Sequence, residues 1–271
     1  MYLNRAVKRA INRLVHYAGY ALVPRCNQSY EELIGVPRYQ EQIVFLDGAK
    51  FKIADALSFR HSYAEIFSKE IYRFSCANKN PKIVDCGSNY GTSVIYFKSL
   101  YPDASITAVE CDPAIFDILV WNIRERGLTG VNAINKAVSN STQPVRFFPE
   151  GADAGRLTTP LRSLKDFVEI PTVSLDSLLD EPVDFLKMDI EGEETKVICE
   201  CHRLDRVHRL FVEYHSFVDQ PQNLALLLSK LASSGFRYYI QTQFCPPIPL
   251  LQTTDYMGMD LQLNIFARRD P

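Results

Sequence analysis

Apolar strand-like runs alternate with amphipathic helical runs from about residue 81 to the end of the chain, and this alternation limits the fold more than any other feature. It predicts a doubly wound α/β domain with a mostly parallel seven-stranded sheet and helices on both faces, because a connection between parallel strands must cross the sheet. The last strand can run antiparallel at the edge. The predicted helices lie at about 91–100, 113–126, 191–204 and 221–234. The predicted strands lie near 82–86, 104–110, 131–138, 183–188, 208–214, 236–242 and 261–268.

Residues 1–60 are predicted to form an extension to a catalytic domain of residues 61–271. In residues 1–20 the apolar side chains recur three and four positions apart, while the cationic side chains fall elsewhere around the turn, which is typical of a basic amphipathic helix. A β-hairpin should follow, because two apolar runs flank the turn signal Asp47-Gly48. We interpret residues 58–77 as a helix that leads into the sheet. The hairpin strands are placed at 43–46 and 51–53.

Two interpretations remain open for the basic helix of residues 1–20. In the first, the helix packs on the catalytic domain or on a second subunit of a homodimer, and its cations are simply solvated. In the second, it makes peripheral contact with a membrane, since residues 1–25 hold five Lys or Arg residues and no Asp or Glu.

The bulk composition excludes several classes of function. A net charge of −2 gives no broad basic field, which argues against nucleic acid as a partner. The seven cysteines are scattered and odd in number, which favours reduced thiols in a cytoplasm over a disulfide framework. Since no apolar run reaches about 18 residues, nothing is expected to span a bilayer. We therefore expect a cytoplasmic protein, with the inner face of the membrane as the alternative location.

A glycine-containing turn at the end of the first central strand is the strongest candidate for a cofactor site. Lys82-Ile83-Val84 is an apolar strand that Asp85 ends, and Gly87 and Gly91 flank the turn before the next helix. Ligands of open α/β sheets bind beyond the carboxyl ends of the strands. The spacing is not the Gly-x-Gly-x-x-Gly of dinucleotide sites, and a carboxylate would repel a pyrophosphate. It suits the cationic sulfonium of S-adenosylmethionine (SAM) instead.

The second strand supports this interpretation. It ends at Glu110, about where an acidic residue accepts hydrogen bonds from a ribose diol, and Asp112-Pro113 then starts a helix. The backbone around Ala137 should face the adenine at the end of the third strand. The residues predicted to bind SAM are Asp85, Gly87, Ser88, Asn89, Gly91, Thr92, Glu110, Cys111, Ala137 and Asp189.

Across roughly residues 60–268 the sequence resembles the FkbM family of SAM-dependent methyltransferases. Three blocks carry the resemblance: Val84 to Gly91 with Val109 to Pro113; Val173 to Leu179; and Phe185 to Gly192 with Phe211 to His215. The family often has Val and Ala where this chain has Cys86 and Ser88, which are small changes. The resemblance implies a Rossmann-like class I methyltransferase fold and methyl transfer, most often to oxygen, with sugar and polyketide hydroxyls among the acceptors.

Five ionisable residues are predicted to converge at two neighbouring strand ends. Lys187, Asp189 and Glu191 alternate along one strand, and Glu213 and His215 alternate along the next. We expect these residues to be catalytic, with His215 as the base that removes a hydroxyl proton, because its ordinary pKa lies near neutrality.

Other interpretations of this cluster stay open. Glu213 or Asp189 would orient the imidazole, while Lys187 would anchor the carboxylates or bind an anionic group of the substrate. A structural ion-pair network is an alternative, because such networks also perturb titration. We do not predict a bound metal. A metal site of Asp189, Glu191, Glu213 and His215 is a further alternative, because carboxylates and imidazole suit divalent ions.

These observations predict a SAM-dependent O-methyltransferase whose acceptor is a hydroxyl of a small molecule, such as a sugar or secondary metabolite, or of a glycan. A nicotinamide-dependent oxidoreductase is the enzymatic alternative. A SAM-binding protein without turnover is the other, since fold does not imply function.

Overall fold

The computed structural model describes residues 30–151, 155, 157, 167–251 and 255–269. The helix predicted for residues 1–20, and the membrane contact predicted for it, lie outside the described residues. The described residues form two compact units, one up to Ile134 together with Gly151 and the other from Asn135 onward.

The strands and helices follow the alternation that the sequence predicts. The strands are β1 (Gln42–Leu46), β2 (Ala49–Ile53), β3 (Lys82–Cys86), β4 (Ser105–Glu110), β5 (Val131–Asn135), β6 (Ala137–Val138), β7 (Val145–Phe147), β8 (Val168–Ile170), β9 (Thr172–Val173), β10 (Phe185–Met188), β11 (Arg209–Phe217), β12 (Arg237–Phe244) and β13 (Met259–Arg268). The α-helices are α1 (Ala56–Tyr63), α2 (Thr92–Leu100), α3 (Pro113–Glu125), α4 (Leu175–Leu178), α5 (Glu194–Glu200) and α6 (Leu224–Ser233).

Seven strands form the large sheet in the order β12-β13-β11-β10-β3-β4-β5. The pairs β3-β4 and β10-β11 are parallel, whereas β13 runs antiparallel to both β11 and β12. The predicted fold class, a mostly parallel seven-stranded sheet, is confirmed. The last strand is antiparallel, as expected, but it lies between β11 and β12 and not at the edge, which β12 forms. Three two-stranded sheets accompany it: β1-β2, β6-β9 and β7-β8.

The first unit contains the predicted hairpin. Asp47 and Gly48 both have positive φ angles, 54° and 74°, as the two-residue turn between β1 and β2 requires. The buried Asn122 of α3 fixes the hairpin, because its Oδ1 accepts from Lys52 N at 2.7 Å and its Nδ2 donates to the carbonyls of Lys52 and Tyr90, each at 2.8 Å.

In the second unit the two faces of β11 differ around Glu213 and His215. Leu210, Val212 and Tyr214 are buried on one face, as strict alternation requires. Glu213 and His215 lie on the other face, and the register pairs them with Asn264 and Gln262 of β13. The polar residues of β11 and β13 therefore form one continuous row.

Three predicted boundaries differ from the structure. The helix predicted at 58–77 ends by residue 68 in a π-helical turn, and Glu70 then takes a left-handed conformation with φ 53°. The strand predicted at 131–138 divides, and Ala137–Val138 pairs with β9 outside the large sheet. The helix predicted at 191–204 begins only at Glu194, because Glu191 and Gly192 have φ angles of 57° and 109°.

Within the part of the chain that the structure describes, every helix falls short of the length and apolar character needed to cross a bilayer.

Candidate functional site

Asp85 ends the apolar part of β3, and its side chain is completely buried. Its Oδ2 accepts a hydrogen bond of 2.6 Å from Ser93 Oγ in the first turn of α2, and its backbone carbonyl accepts one of 2.9 Å from Ser88 Oγ. The carboxylate thus ties the strand end to the helix start and fixes the turn between them. Nothing in the spacing of the motif marks Ser93 as its partner, so sequence reasoning missed this contact.

The two glycines of this turn have conformations that suit glycine. Gly87 has φ 81° and Gly91 has φ 94°, both in the left-handed region. A Cβ on Gly91 would also lie 2.8 Å from Cδ1 of Leu119, which is fully buried. The amide nitrogens of Gly87 and Ser88 both donate to the carbonyl of Val109 at 2.9 Å. The turn is therefore held against the end of β4.

Glu110 lies at the end of β4, as predicted, and both of its carboxylate oxygens accept backbone hydrogen bonds. Oε2 accepts from Asn89 N and Oε1 accepts from Asp112 N, each at 2.8 Å. Asn89 itself has a positive φ of 49°. These two hydrogen bonds fix the carboxylate at the end of β4. The Glu110 carboxylate thus connects the glycine-containing turn to the start of α3, which Asp112 caps.

Three further residues that are predicted to bind SAM lie in or beside α2, β4 and β6. Thr92 is buried at the first position of α2. Cys111 follows Glu110, and burial together with the charges of Glu110 and Asp112 raises the pKa of its thiol well above the usual value. The Cys111 side chain is therefore a neutral thiol. Ala137 is buried in β6, where its amide donates to the carbonyl of Pro171 at 2.9 Å.

In the second unit the predicted ionisable residues of β10 and β11 come together. Nζ of Lys187 lies 3.0 Å from Oδ2 of Asp189, and Nε2 of His215 lies 3.7 Å from Oε2 of Glu191. One ligand atom from each of Asp189, Glu191 and His215 lies within 4.8 Å of the others. The prediction that these residues converge agrees with this geometry, while their catalytic role stays a prediction.

Glu194 is the residue of this cluster that sequence reasoning missed. Its carboxylate is 1% exposed, and its Oε1 lies 3.1 Å from Nδ1 of His215. The same oxygen accepts hydrogen bonds of 3.0 Å from the amides of Ile190 and Gly192. The sequence signal that could have identified Glu194 is its position three residues after Glu191, shortly after Gly192. The loop after β10 therefore folds around this carboxylate, which also orients the imidazole.

The carboxylates change how His215 titrates. Burial by itself would lower the pKa of the imidazole, but Glu191 and Glu194 outweigh that effect and raise it well above the usual value of 6.5. The pKa of the Glu191 carboxyl is also raised, first by burial and then by the negative charges of Asp189 and Glu213, although His215 opposes this shift. His215 is therefore more basic than the near-neutral group that its residue type predicts.

The polar row continues onto β13. Nε2 of Gln262 donates a 2.5 Å hydrogen bond to Oε1 of Glu213 and lies 3.4 Å from Nε2 of His215. Asn264 is completely buried, and neither atom of its amide has a hydrogen-bond partner among the described residues. Buried amides nearly always have partners, so this one requires an explanation.

Comparison with known proteins identifies the family. A family profile described as Methyltransferase FkbM domain matches residues 85–238, more than half of the chain. Methyltransferase sdnD of Sordaria araneosa is 28% identical over 193 residues, which are 58% of this chain and 74% of that protein. Methyltransferase 1 of Beauveria bassiana (strain ARSEF 2860) is 25% identical over 215 residues, which are 68% of this chain and 85% of that protein.

A solved structure with the same family name is also similar. The crystal structure of the methyltransferase FkbM from Methylobacillus flagellatus KT is 21% identical in sequence, with a TM-score of 0.41. The matched region covers 71% of this chain and 44% of that one.

Proposed function

The chain belongs to the FkbM family of SAM-dependent methyltransferases, and on that premise we propose that it transfers a methyl group from SAM to a hydroxyl oxygen of a sugar, a glycan or a secondary metabolite. Family membership favours methyl transfer over the nicotinamide alternative. Methyl transfer to oxygen, as opposed to nitrogen or carbon, is the part that we propose.

The residues of the first unit fit the cofactor. SAM supplies a methyl group on a positively charged sulfur. Glu110 stands at the end of β4, where an acidic residue accepts the hydroxyls of a ribose, and the left-handed Gly87 and Gly91 let the backbone approach a ligand closely. Asp85 is too deeply buried to touch a ligand without movement, so we assign it to holding the turn through Ser93 and to contributing negative charge.

The observation that carries the proposal is the pairing of His215 with the buried Glu194. Glu194 at Nδ1 holds the ring so that Nε2 points toward Glu191 and Gln262. An alcohol is a poor nucleophile, so its methylation benefits from a group that takes up its proton. A carboxylate that fixes one imidazole nitrogen and leaves the other for the reacting hydroxyl is a recurrent arrangement for this task.

The proposed step is balanced within these groups. The hydroxyl proton moves to Nε2 of His215 in its neutral form, a C–O bond forms to the methyl carbon, and the C–S bond breaks. S-adenosylhomocysteine and a methyl ether are the products. Lys187 holds Asp189 by an ion pair of 3.0 Å, which keeps that carboxylate in place.

Methyl-labelled SAM tests the proposal directly. The purified chain is incubated with labelled SAM and, separately, with sugar, glycan and secondary-metabolite fractions of an extract. We expect label in a product that resists alkali, as an ether does, and we expect His215→Gln to lose that product while still binding SAM. Glu169→Gln, on the exposed strand β8, is the matched control and should label normally.

Two outcomes would contradict the proposal. Label on nitrogen or carbon would show a different acceptor class. SAM binding without labelling of any fraction would support the non-catalytic alternative.

A further inference from the structure

We infer that Asp189, Glu191 and His215 bind one divalent metal ion. Their ligand atoms lie within 4.8 Å of one another, and all three belong to the loop after β10 and the end of β11. One nitrogen and two carboxylate oxygens form a mixed set of the kind that first-row divalent ions take in proteins. Binding of the ion does not depend on the proposed function. Only the role of the ion in methyl transfer rests on that function.

The distance between His215 and Glu191 favours an ion between them. At 3.7 Å, Nε2 and Oε2 are too far apart for a hydrogen bond. Two ligands each about 2.1 Å from one ion lie up to about 4.2 Å apart. The observed separation falls within that range, and the widest pair would need to close by less than about 1 Å.

The surroundings of His215 support the same conclusion. Nδ1 faces Glu194, and the amides of Ile190 and Gly192 fix that carboxylate, so rotation of the ring would break its contact with a carboxylate that is held in place. Histidines that bind metals almost always hold their other nitrogen against a carboxylate or carbonyl in this way, which directs the free nitrogen to the ion.

A second, independent observation points to a ligand on this face of the sheet. Asn264 is 0% exposed, and both atoms of its amide lack a hydrogen-bond partner among the described residues. The register places Asn264 opposite Glu213 and Gln262 opposite His215. The side chain of Asn264 therefore lies on the face of the sheet that carries the cluster. A polar ligand, or water that an ion holds, would satisfy this amide.

The charges of the cluster leave room for a cation. Asp189, Glu191, Glu194 and Glu213 contribute four carboxylates, and the ion pair with Lys187 offsets one of them. A divalent ion would neutralise two more. A site of one imidazole and two carboxylates suits manganese or zinc better than calcium, which prefers oxygen ligands alone.

Bound there, the ion would occupy Nε2 of His215, so this nitrogen would act as a ligand and not as the proton acceptor. The ion would instead hold the acceptor hydroxyl by its oxygen and lower the pKa of that hydroxyl, so that its proton can pass to water. The methyl acceptor would therefore carry a second oxygen near the reacting hydroxyl, as a sugar diol does. Two neighbouring oxygens can occupy two open positions of one ion.

Manganese is the probe, because free Mn²⁺ has an electron paramagnetic resonance signal that binding removes. The full chain, stripped with chelator, is titrated with Mn²⁺ without SAM or acceptor. We expect saturable binding of one ion per chain. Glu191→Gln and His215→Gln should each weaken it at least about 10-fold, and Glu194→Gln about 10- to 100-fold. Glu169→Gln should bind as the unchanged chain does.

The result that overturns the inference is the absence of saturable binding up to millimolar Mn²⁺, or equal affinity in the Glu191→Gln and unchanged chains. Circular dichroism confirms that each variant is folded, and Glu191→Gln replaces a side chain that is 21% exposed by one of similar volume. If the unchanged chain methylates its acceptor fully in excess chelator, the ion has no role in transfer, but the proposed function stands.

Discussion

Glu194 and His215 form a buried pair in which the carboxylate Oε1 lies 3.1 Å from the imidazole Nδ1, although 21 residues separate them along the chain. Glu194 starts α5, whereas His215 lies near the end of β11. The pair joins the loop after β10 to the polar row of the sheet, and it directs Nε2 of the imidazole toward Glu191 and Gln262.

Replacement of Glu194 should therefore destabilise the chain. Glu194→Ala leaves a buried imidazole and two backbone amides without their acceptor, and we expect the free energy of unfolding to fall by about 3 kcal/mol. Glu194→Gln keeps an acceptor oxygen and should lose less. Urea unfolding of both variants provides the measurement, and equal stability of all three chains would show that the pair contributes nothing.

The turn before α2 can be tested with two glycines that share a left-handed conformation. Gly35 and Gly91 have φ angles of 83° and 94°, but only a Cβ on Gly91 meets a neighbour, the buried Leu119. Gly35→Ala should cost about 1 kcal/mol of stability from backbone strain alone. Gly91→Ala should cost about 1 kcal/mol more and also weaken SAM binding, because the displaced Leu119 shifts α3. Identical losses in the two variants would rule out the steric part of this account.

Asp55 provides a prediction about acid stability. It is completely buried before α1, and its carboxylate accepts from Arg38 Nε and Tyr39 N at 2.8 Å and from Ser58 N at 2.9 Å. Burial acts to raise the pKa of Asp55, but these three donors outweigh it and lower the pKa below its usual value of 3.8.

The sign of the effect follows from linkage. A carboxyl group with a lowered pKa in the folded chain stabilises above its unfolded pKa, and that contribution is lost as the pH falls through the folded pKa. Asp55→Ala should lower the unfolding free energy by about 2 kcal/mol at neutral pH and by progressively less below about pH 4. Unfolding curves at several pH values measure the difference, with the exposed Asp117→Asn as the control. A difference independent of pH would mean that the charge is irrelevant.

Replacement of Asn264 is expected to stabilise the chain, in contrast to the replacements above. A completely buried amide without partners costs free energy in the chain without ligand, and leucine has a similar volume. Asn264→Leu should therefore raise the unfolding free energy by about 1 kcal/mol in metal-free buffer, while it lowers the affinity for Mn²⁺. Thermal unfolding with and without Mn²⁺ measures both effects. A destabilised variant would indicate that the amide has a structural partner that we have missed.

The fold, and the part of the candidate site around Asp85 and Glu110, could be predicted well from the sequence. Alternating strands and helices determine the sheet, and Asp85, Gly91 and Glu110 stand where strand ends and helix starts place them. The hairpin at Asp47-Gly48 could also be predicted, because a two-residue turn with two positive φ angles has a clear residue signature.

Features that depend on tertiary contacts or on unusual backbone conformations could not be predicted. Glu70 and Glu191 take left-handed conformations although neither is a glycine, so the end of one helix and the start of another differ from the prediction. Glu194 and Asn264 acquire their significance only when α5 and β13 are placed beside β11. The raised pKa of His215 likewise arises from carboxylates that are distant in sequence.

Calorimetric titration of the purified chain with S-adenosylhomocysteine tests the central claim most directly. The account predicts saturable binding at one site per chain, weakened about 10-fold or more in Glu110→Gln, because one charge-assisted hydrogen bond to the ribose is worth roughly 1.5 kcal/mol. Asp117→Asn, on the exposed face of α3, should bind normally. If neither SAM nor its demethylated product binds, or if NADH binds in their place, the account is contradicted.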